Sequence, residues 1–93
     1  IGAAKGEQRI AVEIKSFVGA SPVSEFHTAL GQYLIYEEAL RRDEPERALY
    51  LAIPEAIYRT FFAEDIVRTL VDRHGVQLLV FDPDTEAIVL WTN

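Results

Sequence analysis

Ile10, Val12 and Ile14 alternate with Ala11, Glu13 and Lys15, a period of two that predicts a strand over about residues 9–17 with one buried face. Ahead of it, Lys5-Gly6-Glu7-Gln8 reads as a polar turn, and Gly2-Ala3-Ala4 as the end of a preceding hairpin strand. Phe17 to Ala20 leaves the strand as a loop, and Ser21-Pro22 reads as an N-cap followed by proline at the first helical position. The period then lengthens. Val23, Phe26, Leu30, Tyr33 and Leu40 recur at three- and four-residue steps, which predicts a helix from about Pro22 to Arg42. Glu37/Arg41 and Glu38/Arg42 stand as i,i+4 pairs in the favoured order, and the arginines suit the negative end of the helix dipole. Pro45 disfavours helix at the residue before it and stops the run within 43–46.

Ala48 to Ile53 is apolar without alternation, the pattern of a strand covered on both faces in a sheet sandwiched by helices. After Pro54, residues 55–62 and 64–74 read as helical, with a break near Ala63-Glu64 and Gly75 as the C-terminal stop. Val76 to Phe81 reads as a strand, Asp82-Pro83-Asp84-Thr85 as a turn, and Glu86 to Trp91 as the antiparallel return. Strand, helix, strand, helix, strand, strand implies an α/β domain with a mixed central sheet flanked by helices.

Composition narrows the functional classes. At 93 residues and 49% hydrophobic, the chain reads as one domain able to bury its own core. It has no cysteine, which removes disulfides, thiolate zinc sites and cysteine nucleophiles together. No run approaches the roughly 18 apolar residues of a membrane helix, so a cytoplasmic protein that does not enter the membrane is expected. Methionine is absent even at position 1, from which an N-terminal segment preceding Ile1 is expected. The net charge of −6, from 15 acids and 9 bases, argues against tight DNA binding by this segment alone and points to a basic partner or a missing basic part; it does not exclude a nuclease, whose metal ions supply local positive charge.

The candidate chemistry lies on the first long strand. Side chains two apart share a strand face, with Cα atoms roughly 6.5–7 Å apart, so Glu13 can hold a divalent cation while the Lys15 amine reaches the same scissile group. The same spacing equally fits an ion pair on a solvated strand face. On the helix, Gln32 and Tyr36 are four apart and share a flank. Gln32 could stand alongside Glu13 and Lys15, or be a polar helix residue beside core tyrosines. His27 and His74 stand alone and read as a helix-surface and a helix-end residue. Asp82 and Asp84 read as turn residues, Trp91 as a core cap or a partner contact, and Phe61-Phe62 as exposed rings suited to a homodimer contact.

Four blocks in order, IAVEIKSFVGAS, ALGQYLIY, ERALYLAIP and LLVFDP, resemble the cyanobacterial XisH-type proteins, known as fdxN element excision controlling factors. That family belongs to the PD-(D/E)XK nuclease-like superfamily, and the resemblance runs from about Gln8 to Trp91. Gln32 and Tyr36 also resemble the QxxxY helix motif of the RecB-like branch. The resemblance implies a restriction-endonuclease-like core acting in programmed DNA excision, with Mg²⁺ held by the Glu13 carboxylate and the Ile14 backbone carbonyl. Lys15 would orient water or stabilise the phosphate, Gln32 would brace the site, and Tyr36 would support it or contact nucleic acid. DNA, a companion excision factor of the XisI type and a site-specific recombinase are the implied partners. Two activities remain open: a DNA endonuclease, or a non-catalytic regulatory subunit that keeps the fold. The superfamily takes a first acidic ligand from a hairpin upstream of Glu13, where this chain offers only Glu7, so that acid is expected in the segment ahead of Ile1.

Overall fold

The computed structural model describes residues 2–6 and 8–92. Gly2–Lys5 (β1) and Gln8–Ile14 (β2) form an antiparallel hairpin. It turns at Gly6, whose φ of 60° lies in the left-handed region that glycine enters without a Cβ clash. Glu7, expected in this turn, lies outside the described residues. β2 ends sooner than its alternation predicts. Lys15 still donates its backbone N–H to the Ala52 carbonyl at 3.0 Å, but Phe17 takes φ 57° and swings the chain away. A non-glycine residue rarely adopts that conformation; burial of the Phe17 ring holds it there.

Pro22–Asp43 (α1) begins as predicted, with the Ser21 hydroxyl accepting from the Ser24 N–H at 3.2 Å. At its far end Glu38 takes both arginines, Arg41 at 2.8 Å and Arg42 at 3.1 Å, so the expected Glu37–Arg41 pair gives way to an i,i+3 pair. Hydrogen bonding from Arg42, with Arg41 beside it, holds the Glu38 carboxyl below its ordinary value.

Ala48–Pro54 (β3) is the central strand. The helix expected over 55–62 is shorter: Glu55–Arg59 (α2) ends at Thr60, and Phe61–Ala63 is a 3-10 turn. Asp65–Arg73 (α3) follows, with Gly75 at φ 61° just past its end. Leu78–Phe81 (β4) and Ile88–Trp91 (β5) complete the sheet. β5 starts later than predicted because Glu86, at φ 60°, and Ala87, whose carbonyl accepts from Asp82 N–H, still belong to the turn. Asp82 serves that turn as expected, its carboxylate accepting from the Asp84 N–H at 2.9 Å.

Among the described residues the five strands run in the order β1-β2-β3-β4-β5, parallel across β2–β3–β4 and antiparallel at both edges. Consecutive parallel strands joined by crossovers of one hand place their helices on the same side of the sheet. Phe26, Ala29 and Tyr33 of α1, Phe61 and Phe62, and Val67 and Val71 of α3 accordingly pack together on Leu49, Leu51, Ile53, Leu78 and Val80.

Two expectations need correction here. The apolar run over 48–53 predicts helices flanking both faces of the sheet, and the structure has them on one. The second core, made of Ile10, Tyr50, Ala52 and Leu79 with Val12, Phe81 and Trp91 around it, contains strand residues only. The sheet covers that face by curling: Lys5 of edge strand β1 stands 5.0 Å from the Trp91 ring of edge strand β5 and 5.6 Å from the Tyr50 ring. Burial by curl and burial by helices leave the same apolar run in a sequence. Phe61 and Phe62, expected exposed at a dimer contact, are only 8% and 4% exposed; they cluster with Phe17 and Phe26 at ring separations of 5.6 to 6.0 Å. His27 is exposed and His74 caps α3, as the sequence predicts. No helix of the described residues is long and apolar enough to cross a membrane.

Candidate functional site

β2 sorts its side chains by alternation. Ala11 packs into the helix-side core while Ile10 and Val12 belong to the other face, so Glu13 and Lys15 project toward α1 and Ile14 away from it. The Lys15 Nζ lies 3.7 Å from the Glu13 Oε1, and the two side chains are 19% and 26% exposed. This is an ion pair beyond hydrogen-bond range, set in a partly dry recess. Glu13 also lines a cleft of about 310 Å³ between β2 and α1, with Ala11, Val12 and Leu49 on the sheet side and Tyr36, Ala39 and Leu40 on the helix side.

Gln32 lies one helical turn before Tyr36 on the same flank. Ala39 and Leu40 stand beside Ala11 in the cleft, so stepping back along α1 leads toward the Lys15 end of β2. The Gln32 Oε1 is buried and accepts no hydrogen bond among the described residues. An unpaired buried amide oxygen costs about 1–3 kcal/mol, and such an atom commonly serves a water, an ion or a ligand. The structure therefore brings Glu13 to Lys15 and sets Tyr36 across the cleft from Glu13; Gln32 and Lys15 are not among the residues lining that cleft.

Tyr33 fixes the helix that carries Gln32 and Tyr36. It is fully buried, donates its hydroxyl to the Leu49 carbonyl at 3.1 Å and accepts from the Gln77 N–H at 3.0 Å. Burial raises its hydroxyl above the ordinary tyrosine value, against the opposing pull of the Gln77 bond. Sequence spacing identifies Tyr33 as a core ring but gives no sign of these partners. It also misses Ala39 and Leu40, whose side chains carry no chemical mark.

The candidate ligand oxygens, the Glu13 carboxylate, the Ile14 carbonyl and the Gln32 amide, are hard donors of the type Mg²⁺ takes. They include one carboxylate. Among the described residues, no group of three or more His, Cys, Asp and Glu side chains could hold a metal ion.

A family model described as XisH protein matches residues 1–89. The chain belongs to the XisH family. An XisH family protein from Nostoc punctiforme is similar in structure, with a TM-score of 0.95 at 46% identity over 99% of this chain and 73% of that one. An fdxN element excision controlling factor protein from Anabaena variabilis is similar to the same degree, with a TM-score of 0.95 at 47% identity over 99% of this chain and 72% of that one. No curated protein is similar in sequence. The curled mixed sheet and its one-sided helices are thus an architecture that this XisH family member shares with both crystal structures.

Proposed function

We propose that this chain is a nuclease-fold factor in programmed DNA element excision, acting as a Mg²⁺-dependent DNA endonuclease of the PD-(D/E)XK type. The observation that carries this reading is the convergence of Glu13 and Lys15 at 3.7 Å beside a cleft walled by Tyr36. The similar protein from Anabaena variabilis, an fdxN element excision controlling factor, supports the biological setting.

Phosphodiester hydrolysis requires an oriented water and compensation for charge growing on the phosphate oxygens. Lys15, one residue past the end of β2 and restrained by Glu13, would donate to the attacked phosphate and steady that charge. Gln32 would use its unpartnered Oε1 to orient the Lys15 ammonium or the attacking water, and Tyr36 would support the cleft wall or contact nucleic acid. Glu13 and the Ile14 carbonyl would hold Mg²⁺, which when bound polarises the phosphate and makes a coordinated water more acidic. A second carboxylate is needed. β1 offers none, its residues being Gly2-Ala3-Ala4-Lys5. In this reading the missing acid comes from chain preceding Ile1.

A non-catalytic regulatory subunit, binding a site-specific recombinase or a companion excision factor of the XisI type, is favoured by the net charge of −6, which opposes association with a polyanion such as DNA. The test uses the full-length protein, with whatever precedes Ile1, on supercoiled plasmid with Mg²⁺. Cleavage is expected, abolished by chelation and reduced at least about 100-fold by Glu13→Ala and by Lys15→Ala while circular dichroism stays unchanged. An inert wild type, with excision in cells indifferent to both substitutions, leaves the regulatory reading.

A further inference from the structure

Phe17 bends the chain between the two elements that carry the candidate site. β2 and the residue after it bring Glu13 and Lys15, α1 brings Gln32 and Tyr36, and residues 15–21 link them. Within that link the left-handed conformation falls on Phe17, at φ 57°, where a bulky side chain strains it. Gly19, two positions on, would take it freely, yet the glycines with positive φ are Gly6 and Gly75. Gly19 serves otherwise. A Cβ there would come 2.5 Å from the Glu25 Oε1, so its bare backbone lets the link press against the first turn of α1.

Local preference therefore does not choose where the chain turns; the buried ring does. Phe17 is 6% exposed, and its ring lies 6.0 Å from Phe61 and 5.6 Å from Phe62. Phe26 of α1 stands 5.7 Å from each of the same two rings. One cluster thus holds the link and the helix together. Tyr33, bonded to the Leu49 carbonyl, holds the same helix about 10 Å further along its axis. A helix fixed at both points cannot pivot over the strand, and one fixed at Tyr33 alone can.

We propose that Phe17 is a positioning residue for the candidate site. Its left-handed backbone, held by the buried ring, fixes how α1 lies across β2, and so the span from the Glu13–Lys15 pair to the flank bearing Gln32 and Tyr36. Phe17 does not line the Glu13 cleft; it acts through the helix. A shift of about 1 Å at a catalytic group costs up to about 100-fold in rate, which is reason enough to keep a strained turn. That the span governs catalysis rests on the nuclease reading; that Phe17 sets it does not.

The test compares two isomers at one position of the full-length protein. Phe17→Leu and Phe17→Ile lose the same ring and bury the same number of atoms, but β-branching makes the left-handed conformation worse for isoleucine. Proton–nitrogen NMR follows the Gln32 side-chain amide, assigned with Gln32→Ala, and supercoiled plasmid with Mg²⁺ gives kcat and KM. Phe17→Leu is expected to keep the Gln32 signals in place and kcat within about threefold of the wild type. Phe17→Ile should displace those signals and lower kcat at least about tenfold with KM little changed. Phe17→Met and Phe17→Val repeat the contrast if the isoleucine variant does not fold. Gln32 signals that coincide in the branched and unbranched variants overturn the proposal, because bulk alone would then account for Phe17. A wild type that cleaves no DNA removes the nuclease reading instead, and the Gln32 signals still decide the placement.

Discussion

Tyr33 ties three elements together through one oxygen. Its hydroxyl joins α1 to the Leu49 carbonyl of β3 and to the Gln77 N–H ahead of β4, in a site sealed from solvent. Removing that oxygen leaves a part-buried N–H without its acceptor, so Tyr33→Phe should destabilise the fold by about 1–3 kcal/mol, read from urea denaturation at neutral pH. The same group adds a dependence on alkali. Its folded-state value is raised above 10.0 by burial, so the folded protein keeps the proton longer than the unfolded chain. The contribution is complete below pH 10 and is lost as pH rises through the folded value. Wild-type stability should therefore fall more steeply above pH 10 than that of Tyr33→Phe.

At the scale of elements, two glycines make opposite demands. Gly75 terminates α3 at φ 61°, a conformation in which a Cβ is strained, so Gly75→Ala should destabilise by about 1 kcal/mol. Gly31, in the exposed middle of α1 with open space around it, should gain up to about 1 kcal/mol on conversion to alanine. Thermal melts of the two variants should move in opposite directions. α1 was legible in the sequence because the Ser21 cap, Pro22 and the apolar spacing all agree. The stretch over 55–74 was less so: Pro54 and Glu64 lend no side-chain cap, and Phe61-Phe62 gives no hint that its rings turn inward. Glu13 and Lys15 could be assigned to one face because alternation dictates it. The residues facing them could not, since that depends on how α1 lies across β2, and Ala39 and Leu40 look like any helix positions.

For the whole molecule, the decisive feature is a sheet that shelters its own second face. With all helices on one side, the opposite core depends on the two edge strands leaning together, and Lys5 stands at their meeting with Tyr50 and Trp91. Lys5→Ala should loosen that closure and lower stability by about 0.5–2 kcal/mol, measured by denaturant titration. Local alternation identifies the strands of a sheet but carries no record of curvature, which accumulates from strand to strand. This is why the one-sided arrangement emerged only with the structure.

Trp91 is the sole tryptophan of the chain, and its ring rests edge-on against Tyr50 at 5.0 Å. Nature has thereby installed a single indole fluorophore at the seam between the first and last strands. Its emission wavelength should shift as soon as the rim parts, even while the helical layer remains intact, so one optical channel can distinguish a gaping sheet from global unfolding without any label.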